Sequence, residues 1–127
     1  MRILVLGGDG YCGWATALYL SAKGHKVSIV DNFARRQWDH ELSAQTLTPI
    51  RPLAERLKAW RDLTGRTIDL HVGDVTDSDF LASAMETCEP DAVIQFAEQR
   101  SSPYSTIARK HAVSPQGSNV VGSRNFL

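Results

Sequence analysis

The chain has 127 residues, enough for one domain. Its 14 basic and 14 acidic side chains cancel, so nothing marks it for nucleic acid or for an anionic membrane surface. At 43% hydrophobic residues, with no apolar run of membrane-spanning length, it reads as a globular chain with no membrane role.

Arg2-Ile3-Leu4-Val5-Leu6 is a short apolar run of the buried-strand type and predicts a strand over 2–6. The run Gly7-Gly8-Asp9-Gly10-Tyr11-Cys12-Gly13 follows it. A good helix former comes next, predicted over 12–23 and closed by Gly24. Strand, glycine turn and helix form the setting in which such glycines bind a dinucleotide. Gly7 permits the tight turn, Gly10 leaves a pyrophosphate unobstructed, and Gly13 lets the helix pack close to the strand. The phosphates then meet unpaired N–H groups at the positive end of the helix, where Tyr11 and Cys12 lie. The spacing is Gly-x-x-Gly-x-x-Gly rather than Gly-x-Gly-x-x-Gly, and a flexible turn is the plainer reading of glycines taken alone.

A second strand, 26–31, ends in Asp31. An acid about 20 residues beyond the glycines accepts hydrogen bonds from an adenosine ribose. Its charge also repels a 2′-phosphate, which favours NAD over NADP; a strand-end turn residue is the alternative. Arg35 and Arg36 lie just beyond. They can pack on adenine, reach the ribose, accept a 2′-phosphate, or simply be an exposed basic pair.

Residues 32–66 are longer than a minimal crossover, and long connections are often functional. The stretch from Asn32 to Thr48 is polar and has no clear period. A helix is predicted over 52–64, with Pro52 in its first turn and Leu53, Leu57, Trp60 and Leu63 on one side. A third strand, 67–72, leads to Gly73-Asp74-Val75. Asp74 there can accept from an adenine amino group while the Val75 N–H pairs with a ring nitrogen; a strand-to-helix turn is compatible with that role. A helix over 77–88 follows, capped by Asp77 or Ser78, with Phe80, Leu81, Ala84, Met85 and Cys88 apolar and Pro90 at its end. A fourth strand, 91–96, reads as buried on both faces. A last helix is expected to start near 118.

The alternation predicts an α/β fold: a Rossmann-like, doubly wound parallel sheet in the order 3-2-1-4, with its switch point between strands 1 and 4. Strand 91–96 would then be an edge without protective charges. The chain also ends at Leu127 inside a helix that has no stop signal. The expectation is an NAD-binding domain over 1–127 that is the N-terminal piece of a larger protein. The first strand starts at residue 2, so no targeting peptide is expected before it; a cytoplasmic location follows, or an organellar stroma after processing.

Phe96 to Tyr104 leaves strand 4 beside the switch point, where a nicotinamide and its substrate should meet. Small Ala97 lets the cofactor lie close. Arg100, within a polar cluster with Glu98, Gln99, Ser101 and Ser102, can pair with a phosphate or sulfonate, although a solvated loop would have the same polarity. Tyr19 and Lys23 have the Tyr-x-x-x-Lys spacing of a catalytic pair, but they lie in the first helix, whose far end points away from the phosphates. No catalytic residue is assigned within the chain. His25, His40, His71 and His111 lack metal-ligand spacing, and Cys12 and Cys88 make no disulfide framework. Cys12 reads as a small residue tolerated beside phosphate.

Gly7 to Gly13, Asp31-Asn32, Gly73-Asp74-Val75 and Asn119-Val120-Val121-Gly122 resemble the extended short-chain dehydrogenase/reductase group, the NAD-dependent epimerases and dehydratases of nucleotide sugars. Within it, Gly7 to Leu18, Val30 to Arg36 with Asp39-His40 and Ser43 to Ile50, and Glu98 to Ser105 look like the UDP-sulfoquinovose synthase family. The likeness runs over nearly the whole chain. It implies bound NAD as cofactor, UDP-glucose and sulfite as substrates, and a homodimeric full-length form. It also implies oxidation of the sugar at C4, loss of water across C5 and C6, addition of sulfite at C6 and return of the hydride. By match of motif, Tyr11, Cys12, Asp31, Asn32, Arg35 and Asp74 would touch NAD, Asn119 would lie near it, and Arg100 would touch the substrate. The family's catalytic threonine, its tyrosine–lysine pair and its UDP-binding region have no counterpart here. Ser114 to Ser118 depart from the usual approach to Asn119. The alternatives are another NAD-dependent nucleotide-sugar epimerase or dehydratase, and a non-catalytic dinucleotide sensor.

Overall fold

Strand β1 (Arg2–Leu6) lies at the centre of a four-stranded parallel sheet in a computed structural model that describes residues 1–44, 46–98 and 120–125. It pairs with β2 (Lys26–Asp31) on one side and β4 (Ala92–Gln95) on the other. Strand β3 (Ile68–Val72) extends the sheet beyond β2, so the order is β3-β2-β1-β4, as the alternation predicts. Leu6 stands opposite both Val30 and Gln95, which brings the carboxyl ends of β1, β2 and β4 to one level.

Successive strand residues point to opposite faces, and here both faces are covered. Ile3, Val5, Val27 and Ile29 pack on one face with Ala17 and Leu53, from α1 (Tyr11–Ala22) and α3 (Leu53–Thr64). Leu4, Leu6 and Val30 pack on the other with Leu81, Ala84 and Cys88 of α4 (Ser78–Cys88). That double burial is why β1 reads as an unbroken apolar run. Each fully buried leucine or valine stabilises the fold by ~1.5–3 kcal/mol. Helices α1 and α3 are joined by a partly buried hydrogen bond, in which Trp60 Nε1 donates to Ser21 Oγ at 3.0 Å. Asp77 caps α4 by accepting from the N–H groups of Asp79 and Phe80, both at 3.1 Å.

The structure corrects the sequence reading in three places. Helix α2 (Ala34–Glu41) occupies the polar stretch that shows no period. None of its residues is buried, so it carries no apolar stripe to announce it. Side chains at its start set it instead: Asp31 Oδ1 accepts from the Phe33 N–H at 2.8 Å, and Asn32 Oδ1 accepts from the Ala34 N–H at 3.0 Å. Leu63 is 84% exposed rather than on the packed side of α3; it lies ~80° around the helix from Leu53 at 100° per residue. The residues of β4 are half-buried rather than buried on both faces. Helix α5 (Gly122–Asn125) falls within the last expected helix, and its Asn125 Nδ2 donates to the Val75 and Thr76 carbonyls at 3.1 Å each. Among the described residues, no helix is long and apolar enough to cross a membrane.

Candidate functional site

The glycine turn is built by β1 and anchored by β2. The Gly7 and Gly8 N–H groups both donate to the Val30 carbonyl, at 2.7 and 3.2 Å. Gly7 adopts φ +84°, the left-handed region that favours glycine. A Cβ on Gly13 would fall 2.0 Å from the Gly7 carbonyl oxygen, so only glycine lets α1 start this close to the strand ends. A Cβ on Gly10 would meet only Gly7 O, at 3.3 Å, and otherwise open space. No side chain caps α1 and its first turn has no acid, so its free N–H groups and positive dipole end are left for an anion.

A cleft of about 560 Å³ opens at this point, at the carboxyl ends of β1, β2 and β4. Gly7, Gly10, Tyr11, Cys12 and Gly13 line its turn and helix side; Asp31, Asn32 and Arg35 line the side after β2; Asp74, Val75 and Ala97 close the rest. The structure thus brings these sequence-selected residues to one cavity. Arg100 and Asn119 lie outside the described residues. Tyr19 and Lys23 do not line the cleft; Tyr19 is exposed, with Lys23 Nζ 5.5 Å from its ring centre. Among the described residues there is no cluster of side chains able to hold a metal ion.

Asp31 is held by two backbone donors. Its Oδ2 accepts from the Asp9 N–H and its Oδ1 from the Phe33 N–H, both at 2.8 Å. Burial raises the Asp31 pKa, and these two bonds and Arg36 pull it back only in part. Asp74 behaves in the opposite way. Burial pushes its carboxyl up, but donation from the Thr76 N–H and hydroxyl and from Asn32 Nδ2 outweighs it and leaves the pKa low. The Asn32 Nδ2 bond to Asp74 Oδ2, 2.8 Å long, ties the ends of β2 and β3 together across the cleft.

Sequence reading missed the surroundings of Asp9. Its side chain is 4% exposed and forms ion pairs with Arg36 of α2, at 2.7 Å, and with Arg56 of α3. Arg56 also stacks over the Trp14 ring of α1, 4.8 Å from its centre. An acid within a crowded glycine turn was the signal: once buried it demands a cation. Of the two neighbouring arginines, only Arg35 lines the cleft. Ala34, Trp38, Asp39 and Leu42, on and beside the unforeseen α2, line it too.

The sequence of a UDP-sulfoquinovose synthase from Spinacia oleracea, named as chloroplastic, is 56% identical over 126 residues, covering 99% of this chain and 26% of that protein. One from Sulfolobus acidocaldarius is 42% identical over 113 residues, covering 89% and 29%. The chain therefore spans between a quarter and a third of the length of these curated relatives. A solved structure of UDP-glucose 4-epimerase from Stenotrophomonas maltophila, with bound NAD and formylated UDP-arabinopyranose, superposes with a TM-score of 0.72 at 28% identity, covering 98% of this chain and 32% of that one. The resemblance drawn from the glycine turn and the Glu98 stretch thus holds across the chain, and the doubly wound architecture holds with it. Residues 3–127 match the sequence profile of the NAD dependent epimerase/dehydratase family, and the chain belongs to that family.

Proposed function

We propose that this chain is the NAD-binding part of an enzyme that forms UDP-sulfoquinovose from UDP-glucose and sulfite. The observation that carries the reading is one cleft holding a bare glycine turn, an uncapped helix start and an acid-ended strand, in a chain 56% identical to a UDP-sulfoquinovose synthase. The cavity fits a dinucleotide: Gly10 projects nothing into it, and its volume lies within the range of ligand pockets.

The start of α1 would receive the pyrophosphate, with Gly7, Gly10, Tyr11, Cys12 and Gly13 around it. Asp31 would accept from the adenosine ribose hydroxyls, and its charge favours NAD over NADP. Asp74 and the Val75 N–H would read the adenine edge, with Asn32 fixing Asp74 and Arg35 packing on the ring. Ala97 would lie beside the nicotinamide, Asn119 near the cofactor, and Arg100 on the anionic end of the substrate. NAD, when bound, supplies a reversible hydride acceptor. This chain's residues bind and orient it, while the base that moves the sugar proton comes from a region beyond these residues. On this reading residues 1–127 are the cofactor-binding part of a larger, homodimeric protein. Its place is the cytoplasm or, as the name of the spinach relative suggests, an organellar stroma.

The test is incubation of the full-length protein with UDP-glucose, sulfite and NAD, followed by chromatography that resolves UDP-glucose from UDP-galactose and mass spectrometry of the separated products. Sulfite-dependent UDP-sulfoquinovose is expected. UDP-galactose formed without regard to sulfite would favour an epimerase, and NAD binding without turnover would favour a sensor.

A further inference from the structure

A basic side chain stands beside the cleft and is kept out of it. Arg36 follows β2 by a few residues, in the region from which an arginine accommodates the 2′-phosphate of NADP in folds of this kind. Yet Arg36 does not line the cleft. Its Nε donates to Asp9 Oδ2 at 2.7 Å and its NH2 donates to the Asp9 carbonyl at 3.3 Å. It faces a second cavity, between α2 and α3, lined by Asp9, Phe33, Pro52 and Leu70. The two cavities share Asp9.

We propose that Asp9 is a specificity-determining residue that acts through Arg36: it holds the guanidinium on the far side of the glycine turn and so denies a 2′-phosphate its cation. The proposal rests on the NAD reading above and adds a second determinant to Asp31. The geometry separates the two arginines that Asp9 binds. Arg56 has other holds, since it stacks on Trp14 and its Nε donates to the Arg51 carbonyl at 3.0 Å. Among the described residues, the hydrogen bonds of the Arg36 side chain go to Asp9 alone. Loss of the Asp9 charge therefore weakens the hold on Arg36 in particular, leaving it the 3.3 Å bond to the Asp9 carbonyl and a neutral amide in place of the ion pair. The side chain is already 32% exposed, so it can turn without unpacking the core. Because the Asp9 N–H also donates to Asp31 Oδ2, the released guanidinium would stand within one residue of the ribose acceptor.

The experiment is calorimetric titration of NAD and NADP into the full-length protein and its Asp9→Asn, Arg36→Gln and doubly substituted variants. Asp9→Asn is expected to shift the affinity ratio toward NADP by about tenfold, the size of one charge-assisted hydrogen bond. Arg36→Gln alone should leave the ratio unchanged, and in the double variant it should restore the wild-type ratio. A ratio unmoved by Asp9→Asn overturns the proposal. So does a gain that survives in the double variant, which would mean the loss of acid charge acts without Arg36. Should Asp9→Asn not fold, Arg36→Gln decides by itself: a fivefold loss of NADP affinity would show that the arginine was already available. Wild-type protein that binds neither dinucleotide would defeat the NAD reading itself, an outcome distinct from the others.

Discussion

Alanine at position 13 probes the packing on which the cleft depends. Its Cβ would lie 2.0 Å from the Gly7 carbonyl oxygen, 2.8 Å from the Gly7 carbonyl carbon and 3.2 Å from the Gly8 Cα. All three are backbone atoms, and the turn is pinned by the two N–H bonds to Val30. It can yield only by stretching those bonds or by lifting α1 from the sheet. Helix propensity opposes the effect, because alanine is better than glycine within a helix by up to ~1 kcal/mol. Overpacking costs ~1–3 kcal/mol, and each weakened backbone bond adds about 1 kcal/mol. The net expectation is a loss of ~2–4 kcal/mol, with both bonds to Val30 weakened and the propensity gain subtracted. Urea unfolding of full-length Gly13→Ala, followed by circular dichroism, measures it. Gly10→Ala is the control: its Cβ meets only one atom, at 3.3 Å, so its stability should stay within ~1 kcal/mol of wild type while NAD affinity falls. A Gly13→Ala protein as stable as wild type, or more so, would refute the packing argument.

Further outcomes follow from single groups. Burial raises the Asp31 pKa, so the ionised form proposed to bind the ribose is lost sooner on acidification than for an ordinary aspartate; NAD affinity measured against pH should fall at a higher pH than an ordinary aspartate would give. The stability linkage runs the other way with pH: the folded pKa exceeds the unfolded one, so the contribution is full below the unfolded value and is lost as pH rises through the folded value. Asp77→Ala removes the acceptor for two N–H groups at the start of α4 and should cost ~1 kcal/mol in denaturant unfolding. Tyr19→Phe should leave turnover and NAD affinity unchanged, because the hydroxyl stands on an exposed part of α1 outside the cleft; a large drop with folding intact would contradict that placement.

The elements that bury apolar residues were the legible ones. β1 and β2 announced themselves through runs of Leu, Val and Ile, and α4 through its stripe of Phe80, Leu81, Ala84, Met85 and Cys88, because those residues lie against the core. The glycine turn was legible because close approach admits only one residue type at Gly7 and Gly13. Helix α2 was not, since it buries nothing and is held by oxygen atoms of Asp31 and Asn32 that act equally well in turns. The Asp9 ion pairs were not legible either. Arg36 and Arg56 meet Asp9 across separations of 27 and 47 residues, and charge pairing between distant segments leaves no period along the chain. For the same reason nothing in the pair Arg35-Arg36 says which of the two faces the cleft.

Asp31 is proposed to hold an adenosine ribose at the mouth of the glycine turn. Calorimetric titration of NAD into full-length wild-type and Asp31→Ala proteins, with NADP alongside, tests it most directly. Wild type is expected to bind NAD more tightly than NADP. Asp31→Ala is expected to weaken NAD by roughly ten- to a hundredfold, the loss of one charged hydrogen bond of about 1.5–3 kcal/mol, with a smaller effect on NADP. Tighter binding of NADP than of NAD by wild type, or NAD affinity unmoved by Asp31→Ala, would contradict it.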